Sequence, residues 1–270
     1  MTRKEASATT TTVSADGGAG TGTVSRALAL LTLLADAGGT VTVKHVGDVM
    51  QVPPSTAHRM LQLLRKEGFV DAGAGGQYGI GPQFYRVAAR VMAGKSPVSL
   101  AQPVIEGIAE VFNETVLFGL YLPTEGAVSF AARADGQQKL KYQIDMLTPL
   151  SLVWGASGKA ILAFLSPSEI DSILAAEGPS PATGATPPDA QLLAAELEEI
   201  RARGWALSES EKLPDARGVA APVFGPAGVV GCICLTSPKA RMPHASTDAI
   251  GAECAKRARA LSHNLGAVFK

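Results

Sequence analysis

The sequence predicts an α+β chain in two folded parts: an N-terminal winged helix-turn-helix, then, after a connecting helix, a larger C-terminal α+β domain with an antiparallel sheet. Three observations predict it. Apolar residues recur at helical spacing in three short segments between Thr23 and Gly68, and glycine or proline separates those segments. Two strand-like runs follow, around a glycine-rich spacer, as in a hairpin. Beyond Pro97, strand-like and helix-like segments are mixed.

Residues 1–22 contain no Leu, Ile or Phe and are rich in Thr, Ala, Gly and Ser. Such a segment buries too little apolar area to offset its chain entropy, so a disordered tail is expected there. Order is expected from Thr23, read as an N-cap. Val24, Ala27, Leu28, Leu31 and Leu34 follow at helical spacing, and Gly38 and Gly39 end the helix. A second helix is expected from Thr42 to Met50, with Val43, Val46, Gly47 and Met50 on one face. Pro53 breaks it, and Pro54 can open the third helix because the first helical position needs no N–H donor. That helix is expected to stop at Gly68. The segments 69–71 and 77–80 form the hairpin. Phe84, Val87, Ala88 and Val91 mark the connecting helix, which ends near Gly94-Lys95-Ser96-Pro97.

In the second part, strands are expected over 115–121, 127–132, 219–224 and 229–236. Helices are expected over 156–164, 168–175, 189–203 and 245–268, with a loop rich in Pro, Gly and Thr over 178–188. A Glu199–Arg203 pair, four residues apart, is expected to support the third of these helices. The expected divisions are therefore a tail over 1–22, a winged helix-turn-helix over 23–82, a connecting helix over 83–96 and a second domain over 97–270.

On a helical wheel of about 100° per residue, Ala57, Met60, Leu61 and Leu64 of the third helix cluster on one side. Ser55, Arg59, Gln62 and Lys66 cluster on the other, flanked by Thr56, His58 and Arg65. The apolar side can pack on the first two helices. The other side presents hydroxyl, guanidinium, amide and ammonium donors, which suit base edges and phosphates of double-stranded DNA. Ser55 and Thr56, at the helix start, suit a phosphate. Arg59 and Gln62 point where base edges would lie. Lys44, Arg65 and Lys66 suit the DNA backbone, and Gln77 in the hairpin can reach a flanking groove. The plainer reading of the same helix is a solvated polar face; the helix before it and the hairpin after it favour DNA.

These residues resemble the IclR-type family of bacterial regulators. Val24-Ser25-Arg26-Ala27-Leu28 is similar to the family's opening helix, and Pro53-Pro54-Ser55-Thr56-Ala57-His58-Arg59-Met60-Leu61 to its recognition segment. Glu67-Gly68-Phe69-Val70 and Tyr78-Gly79-Ile80-Gly81 resemble its wing. Gly158-Lys159-Ala160, Arg203-Gly204-Trp205-Ala206 and Ala220-Ala221-Pro222-Val223-Phe224 resemble second-domain signatures, in the family's order. The resemblance implies a GAF-like effector domain, a dimer that can assemble further into a dimer of dimers, and a small organic or aromatic acid as effector. It also implies effector contacts at Ala156, Ser157, Ser208, Gly218, Cys234 and Thr236. The chain departs from the pattern in several places. Pro54 stands for the usual Lys, Gln51 for a common Gly and Val153 for a usual His, while the family's acidic run is broken into Ser208-Glu209-Ser210-Glu211.

From the residues alone, amides at Ala156 and Ser157 can hold a carboxylate at a helix start, and Trp154 can add an aromatic wall. Small residues there also serve packing alone, and Cys232 and Cys234 also read as buried small hydrophobes.

Composition narrows the alternatives. Apolar residues are 46% and charged residues 18%, and the net charge is zero. Residues 1–94 hold 9 Lys/Arg against 6 Asp/Glu, and the remainder 15 against 18, a slight basic bias at the DNA-reading end. No apolar run approaches the roughly 18 residues of a membrane span, and no apolar core follows Arg3-Lys4 as in a secretory signal. The three cysteines form no disulfide framework, so the cytoplasm is the expected compartment. No metal or cofactor is expected, since His244 and His263 lie far from the cysteine pair. An enzyme is disfavoured: the positions a phosphate-binding loop needs around Gly158-Lys159 are Val153 and Ala160, and no nucleophile elbow is present. A DNA-binding protein that responds to no effector, with a degenerate sensor, remains an alternative.

Overall fold

The computed structural model describes residues 22–94 and 96–268. Apart from Gly22, the expected tail lies outside them. The described residues form two compact units that divide between Val91 and Met92.

In the first unit, α1 (Thr23–Asp36) leads through β1 (Val41–Thr42) to α2 (Val43–Met50) and α3 (Pro54–Lys66). Then come β2 (Val70–Ala72), a 3-10 turn (Ala74–Gly76), β3 (Gln77–Ile80) and α4 (Pro82–Ala93). Gly22, not Thr23, caps α1, with no side-chain hydrogen bond, because the helical backbone already begins at Thr23. Leu30 and Leu34 carry the burial of α1, while Val24 and Leu28 are exposed. The stripe read from the sequence is thus displaced, because α1 meets its neighbours along the ridge one helical turn before Leu34. The wing has three strands rather than two. Val41 and Thr42 pair with Tyr78 and Gln77, which gives the order β1-β3-β2. Leu30, Leu34, Val46, Ala57, Leu61 and Tyr78 share one core.

The second unit begins with α5 (Pro97–Phe112), whose N-cap Ser96 accepts from the Ser99 amide at 3.1 Å. It continues through β4 (Thr115–Leu122), β5 (Ala127–Ala134), β6 (Pro149–Ser151), α6 (Ala156–Leu162), α7 (Pro167–Ala176) and α8 (Ala190–Arg203). The closing elements are β7 (Ala206–Glu209), β8 (Ala216–Gly225), β9 (Gly228–Pro238) and α9 (His244–Asn264). The strands make one antiparallel sheet in the order β6-β5-β4-β9-β8-β7.

Alternation sorts the sheet's side chains onto two faces. Val116, Phe118, Val219, Ala221, Ile233 and Leu235 pack with residues of α5 and α9. Leu117, Ala220, Cys232 and Cys234 pack with residues of α6 and α8. Strand β5 serves both faces. Phe118 pairs with Ala132 and Gly119 with Phe130, so Ala131 is an extra residue. That bulge inverts the alternation: Val128 and Phe130 face α6, whereas Ala132 and Ala134 face α5.

Two further expectations are corrected. The described structure holds no Glu199–Arg203 ion pair. Arg203 instead donates to the Trp205 carbonyl at 2.6 Å and stacks 4.2 Å from the Trp205 ring. The closing helix ends at Asn264, where Leu265 and Gly266 leave helical geometry. No helix of the described residues is long and apolar enough to cross a membrane.

Candidate functional site

The first candidate surface is the outer side of α3. Its position begins with α2, where the Thr42 side chain accepts from the His45 amide at 3.2 Å. The turn after α2 is tight. Gln51 adopts a left-handed backbone (φ 54°, ψ 44°), and its Nε2 donates to the Asp48 carbonyl at 2.7 Å. At Gly47 the Val52 carbonyl would lie only 3.1 Å from an added Cβ, so a glycine lets the turn close against α2. Pro54 opens α3, and Ala57, Met60 and Leu61 are buried beneath it.

Ser55, His58, Arg59, Arg65 and Lys66 are exposed on α3, Thr56 is half-buried, and Lys44 is exposed on α2. Gln62 is also half-buried. Its Nε2 donates to the Tyr78 hydroxyl at 3.0 Å and lies 3.4 Å from His58 Nε2. Gln77 opens β3 and is exposed, and its Oε1 accepts from the Thr40 hydroxyl at 2.7 Å. Leu63, which the sequence reading passed over, is 51% exposed between these polar groups.

The second candidate is a cavity of about 240 Å³ in the C-terminal unit, near the small end of ligand clefts. Ala156, Ser157, Ser208, Gly218, Cys234 and Thr236 all line it. They come from α6, β7, β8 and β9, and the sheet's register brings them together: Ser208 pairs with Gly218, which pairs with Thr236. Gly218 permits this closeness, since an added Cβ would meet Ser208 Oγ at 3.2 Å and Ala156 Cβ at 3.5 Å. Cys234 Sγ lies 3.6 Å from the Thr236 hydroxyl.

The entry to α6 is held from several sides. The Ala156 amide donates to Ser208 Oγ at 2.8 Å, and the Gly155 amide to Glu211 at 2.9 Å. The Ala156 amide expected to be open to a ligand is therefore occupied by the Ser208 hydroxyl. Lys159 is buried between Glu196 and Glu211, with both contacts at 2.8 Å. Gly158 packs so closely on Leu152 that a Cβ would lie 2.5 Å from its backbone.

Trp154 is not a wall of the cavity. It is 7% exposed within the core, and its indole N–H donates to the Gly178 carbonyl at 2.9 Å. Phe130 supplies the aromatic surface instead. Gln143, Ile144, Asp145 and Lys212 also line the cavity and were not read from the sequence. The segment around 143–145 has no periodicity to read. Lys212 adjoins the broken acidic run, which was the one available hint.

Burial pushes the Cys234 thiol up, Cys232 well up, and Cys254 to about 12. All three are therefore protonated at neutral pH and pack as small hydrophobes. At the end of β7, hydrogen bonds from Arg217 and then Lys239 hold the Glu209 carboxyl down at about 2. Arg217 also donates to the Met242 carbonyl. Among the described residues no cluster of His, Cys, Asp or Glu has the makings of a metal site.

Comparison with known proteins agrees with this architecture. The IclR helix-turn-helix domain matches residues 23–72, and the bacterial transcriptional regulator IclR C-terminal domain matches 94–263. The HTH-type transcriptional regulator BhcR of Paracoccus denitrificans is 30% identical over 244 residues, covering 90% of this chain and 86% of that protein. The HTH-type transcriptional repressor AllR of Escherichia coli K12 is 26% identical over 225 residues, covering 81% of each. A crystal structure of an IclR-type regulator from Silicibacter sp. TM1040 superposes with a TM-score of 0.82 at 27% identity, covering 92% of this chain and 98% of that one. An IclR homologue from Microbacterium hydrocarbonoxydans, solved in complex with 4-hydroxybenzoate, has a TM-score of 0.73 at 19% identity and covers 92% and 100%. A helix-turn-helix that exposes a cationic, donor-rich helix, an α+β partner domain and two family models that together span most of the described residues lead to one assignment: the chain belongs to the IclR family of bacterial transcriptional regulators.

Proposed function

We propose that this regulator is a cytoplasmic repressor that sets α3 in the major groove of an operator and changes its grip when the cavity takes up a small organic acid. The observation that carries the reading is the division of α3. Ser55, His58, Arg59, Arg65 and Lys66 are exposed, while Ala57, Met60 and Leu61 are buried. Arg59 reads a guanine edge, which a guanidinium can engage through two hydrogen bonds. Ser55 and Thr56, at the helix start, take a phosphate, and Lys44, Arg65 and Lys66 hold the DNA backbone. His58 flanks the groove. Gln62, tied to Tyr78 and beside His58, couples α3 to the wing and reads an adenine, and Gln77 meets a flanking groove.

Relatives named as repressors support the sign of regulation. The 4-hydroxybenzoate complex of a structural neighbour supports an aromatic or other organic acid as effector, held in the cavity lined by Ala156, Ser157, Ser208, Gly218, Cys234 and Thr236. Val24 and Leu28 on α1, and Tyr85 and Val91 on α4, are large apolar side chains at 59–73% exposure. We infer that a second copy covers them, giving a dimer whose α3 helices meet half-sites about 34 Å apart, with a dimer of dimers as the larger assembly.

The test is operator binding at fixed salt, with the operator selected from genomic fragments. Arg59→Ala is expected to lose about 1–3 kcal/mol of specific binding and to relax base preference at one position. Affinity equal to wild type would show that this face does not enter the groove.

A further inference from the structure

We propose that Lys212 is the carboxylate anchor of the cavity. Its amine pairs with the acid group of a small monocarboxylate whose carbon skeleton lies against Phe130, Leu117 and Ile144. This rests on the reading of the cavity as the effector site and names the group that recognises the acid.

Lys212 is the only lysine or arginine that lines the cavity among the described residues. It sits in the bend between β7 and β8, and the left-handed residues Ser210 (φ 56°) and Asp215 (φ 54°) bracket that bend. Its stem lies over Gly155, where an added Cβ would meet Lys212 Cβ at 3.5 Å and Cε at 3.6 Å. Those are ordinary contact distances, and the left-handed backbone of Gly155 (φ 86°) suits a glycine at this point under the lysine stem. The residue as a whole is half-buried, but its amine lies inside, and burial pushes its pKa below that of an ordinary lysine.

Nζ donates to the Ser151 carbonyl at 3.1 Å. An ammonium carries three donors, and no carboxylate among the described residues forms an ion pair with this one. The acids that could do so are committed elsewhere. Glu211 is engaged by Lys159 and the Gly155 amide, and Glu177 accepts from the Ser151 hydroxyl at 2.6 Å. Asp145 lines the cavity but is itself exposed. Cys232 and Cys234, the other titratable groups near enough to act on the amine, are kept protonated by burial.

Glu177 and Glu211 act on this ammonium only through space, and a buried cation that no carboxylate touches favours an incoming anion, which adds a charge-assisted hydrogen bond. The alternative anion holder, the start of α6, is a short helix whose Ala156 amide is already taken by Ser208. Lys212 is thus the group with both charge and free donors inside a cavity with apolar walls.

The test is calorimetry and thermal stability on the full chain with benzoate, 4-hydroxybenzoate, pyruvate and acetate, each beside its neutral amide. Lys212→Met and Lys212→Gln are measured in parallel, and unchanged operator affinity without acid serves as the check on folding. At least one acid is expected to bind wild type about ten-fold or more tightly than its amide, and both neutral variants are expected to lose that preference. Should neither variant fold, the acid-to-amide ratio in wild type decides, and equal affinities overturn the anchor. Acid binding that survives intact in the neutral variants overturns the role of Lys212 but leaves the effector cavity standing. Failure of every acid to bind wild type overturns the anchor and counts against the acid-effector reading with it.

Discussion

Individual residues carry constraints that composition hides. Gly158 lies within a motif that the sequence shows, but only its contact with Leu152 explains why no side chain is tolerated. Gly158→Ala would press a methyl group to 2.5 Å from the Leu152 backbone, where no flexible side chain can yield. Overpacking of this kind costs about 1–3 kcal/mol. The expected result is a lower midpoint in urea denaturation with an unchanged slope, together with weakened acid binding, because α6 borders the cavity. An unchanged midpoint would mean that α6 can shift without cost. The thiols give the complementary case. Cys232 and Cys234 alternate on β9 as the sequence indicates, and Cys234 reaches the cavity while Cys232 is sealed in the core. Spacing places them on one face, and the neighbouring strands decide which of them meets the cavity.

At the scale of elements, the turn between α2 and α3 can be tested directly. Gln51 holds a left-handed backbone (φ 54°) that glycine adopts without a Cβ clash. Gln51→Gly removes that strain but also loses the hydrogen bond to the Asp48 carbonyl. The strain term exceeds a single exposed hydrogen bond, so the variant is expected to gain up to about 1 kcal/mol, read as a raised melting temperature with operator binding retained. A lower melting temperature would show that the side-chain bond outweighs the strain. Most helices were legible because capping and breaker residues mark their ends: Pro54 and Gly68 for α3, Asp189 and Gly204 for α8. The strands β1, β6 and β7, of two to four residues, were not. Unlike the equally short β2 and β3, which a glycine-rich turn marks as a hairpin, these segments carry no local signal and exist because a neighbouring strand offers hydrogen bonds. The bulge at Ala131 is similar. Nothing in the run 127–134 announces an extra residue, yet that residue turns Phe130 into the cavity and Ala132 away from it.

Across the whole molecule, each unit encloses its own core. Leu30, Leu61 and Tyr78 belong to one, while Phe118, Ile233 and Leu261 belong to the large core under α5 and α9. Units with separate cores can fold alone. A fragment covering 96–268 is expected to melt cooperatively and to keep whatever acid binding the full chain shows, since the whole cavity lining lies within it. Circular dichroism and calorimetry on that fragment check this, and a non-cooperative melt would show that it needs the first unit. The sheet order β6-β5-β4-β9-β8-β7 brings residues from 117 to 236 around one cavity. Resemblance to the family indicated six of those residues. It did not indicate Lys212, because its place depends on the bend that two left-handed residues, Ser210 and Asp215, impose between β7 and β8.

Periodicity, capping and family motifs were enough to establish that this chain pairs a DNA-reading helix with a second α+β domain, since such signals are local and repeat within a few residues. Tertiary structure alone decided that Phe130 and Lys212 join the cavity lining, that Ser208 occupies the Ala156 amide and that Trp154 turns into the core. Those outcomes depend on register and on packing between segments distant in sequence, and a one-residue change in either exchanges an inward side chain for an outward one.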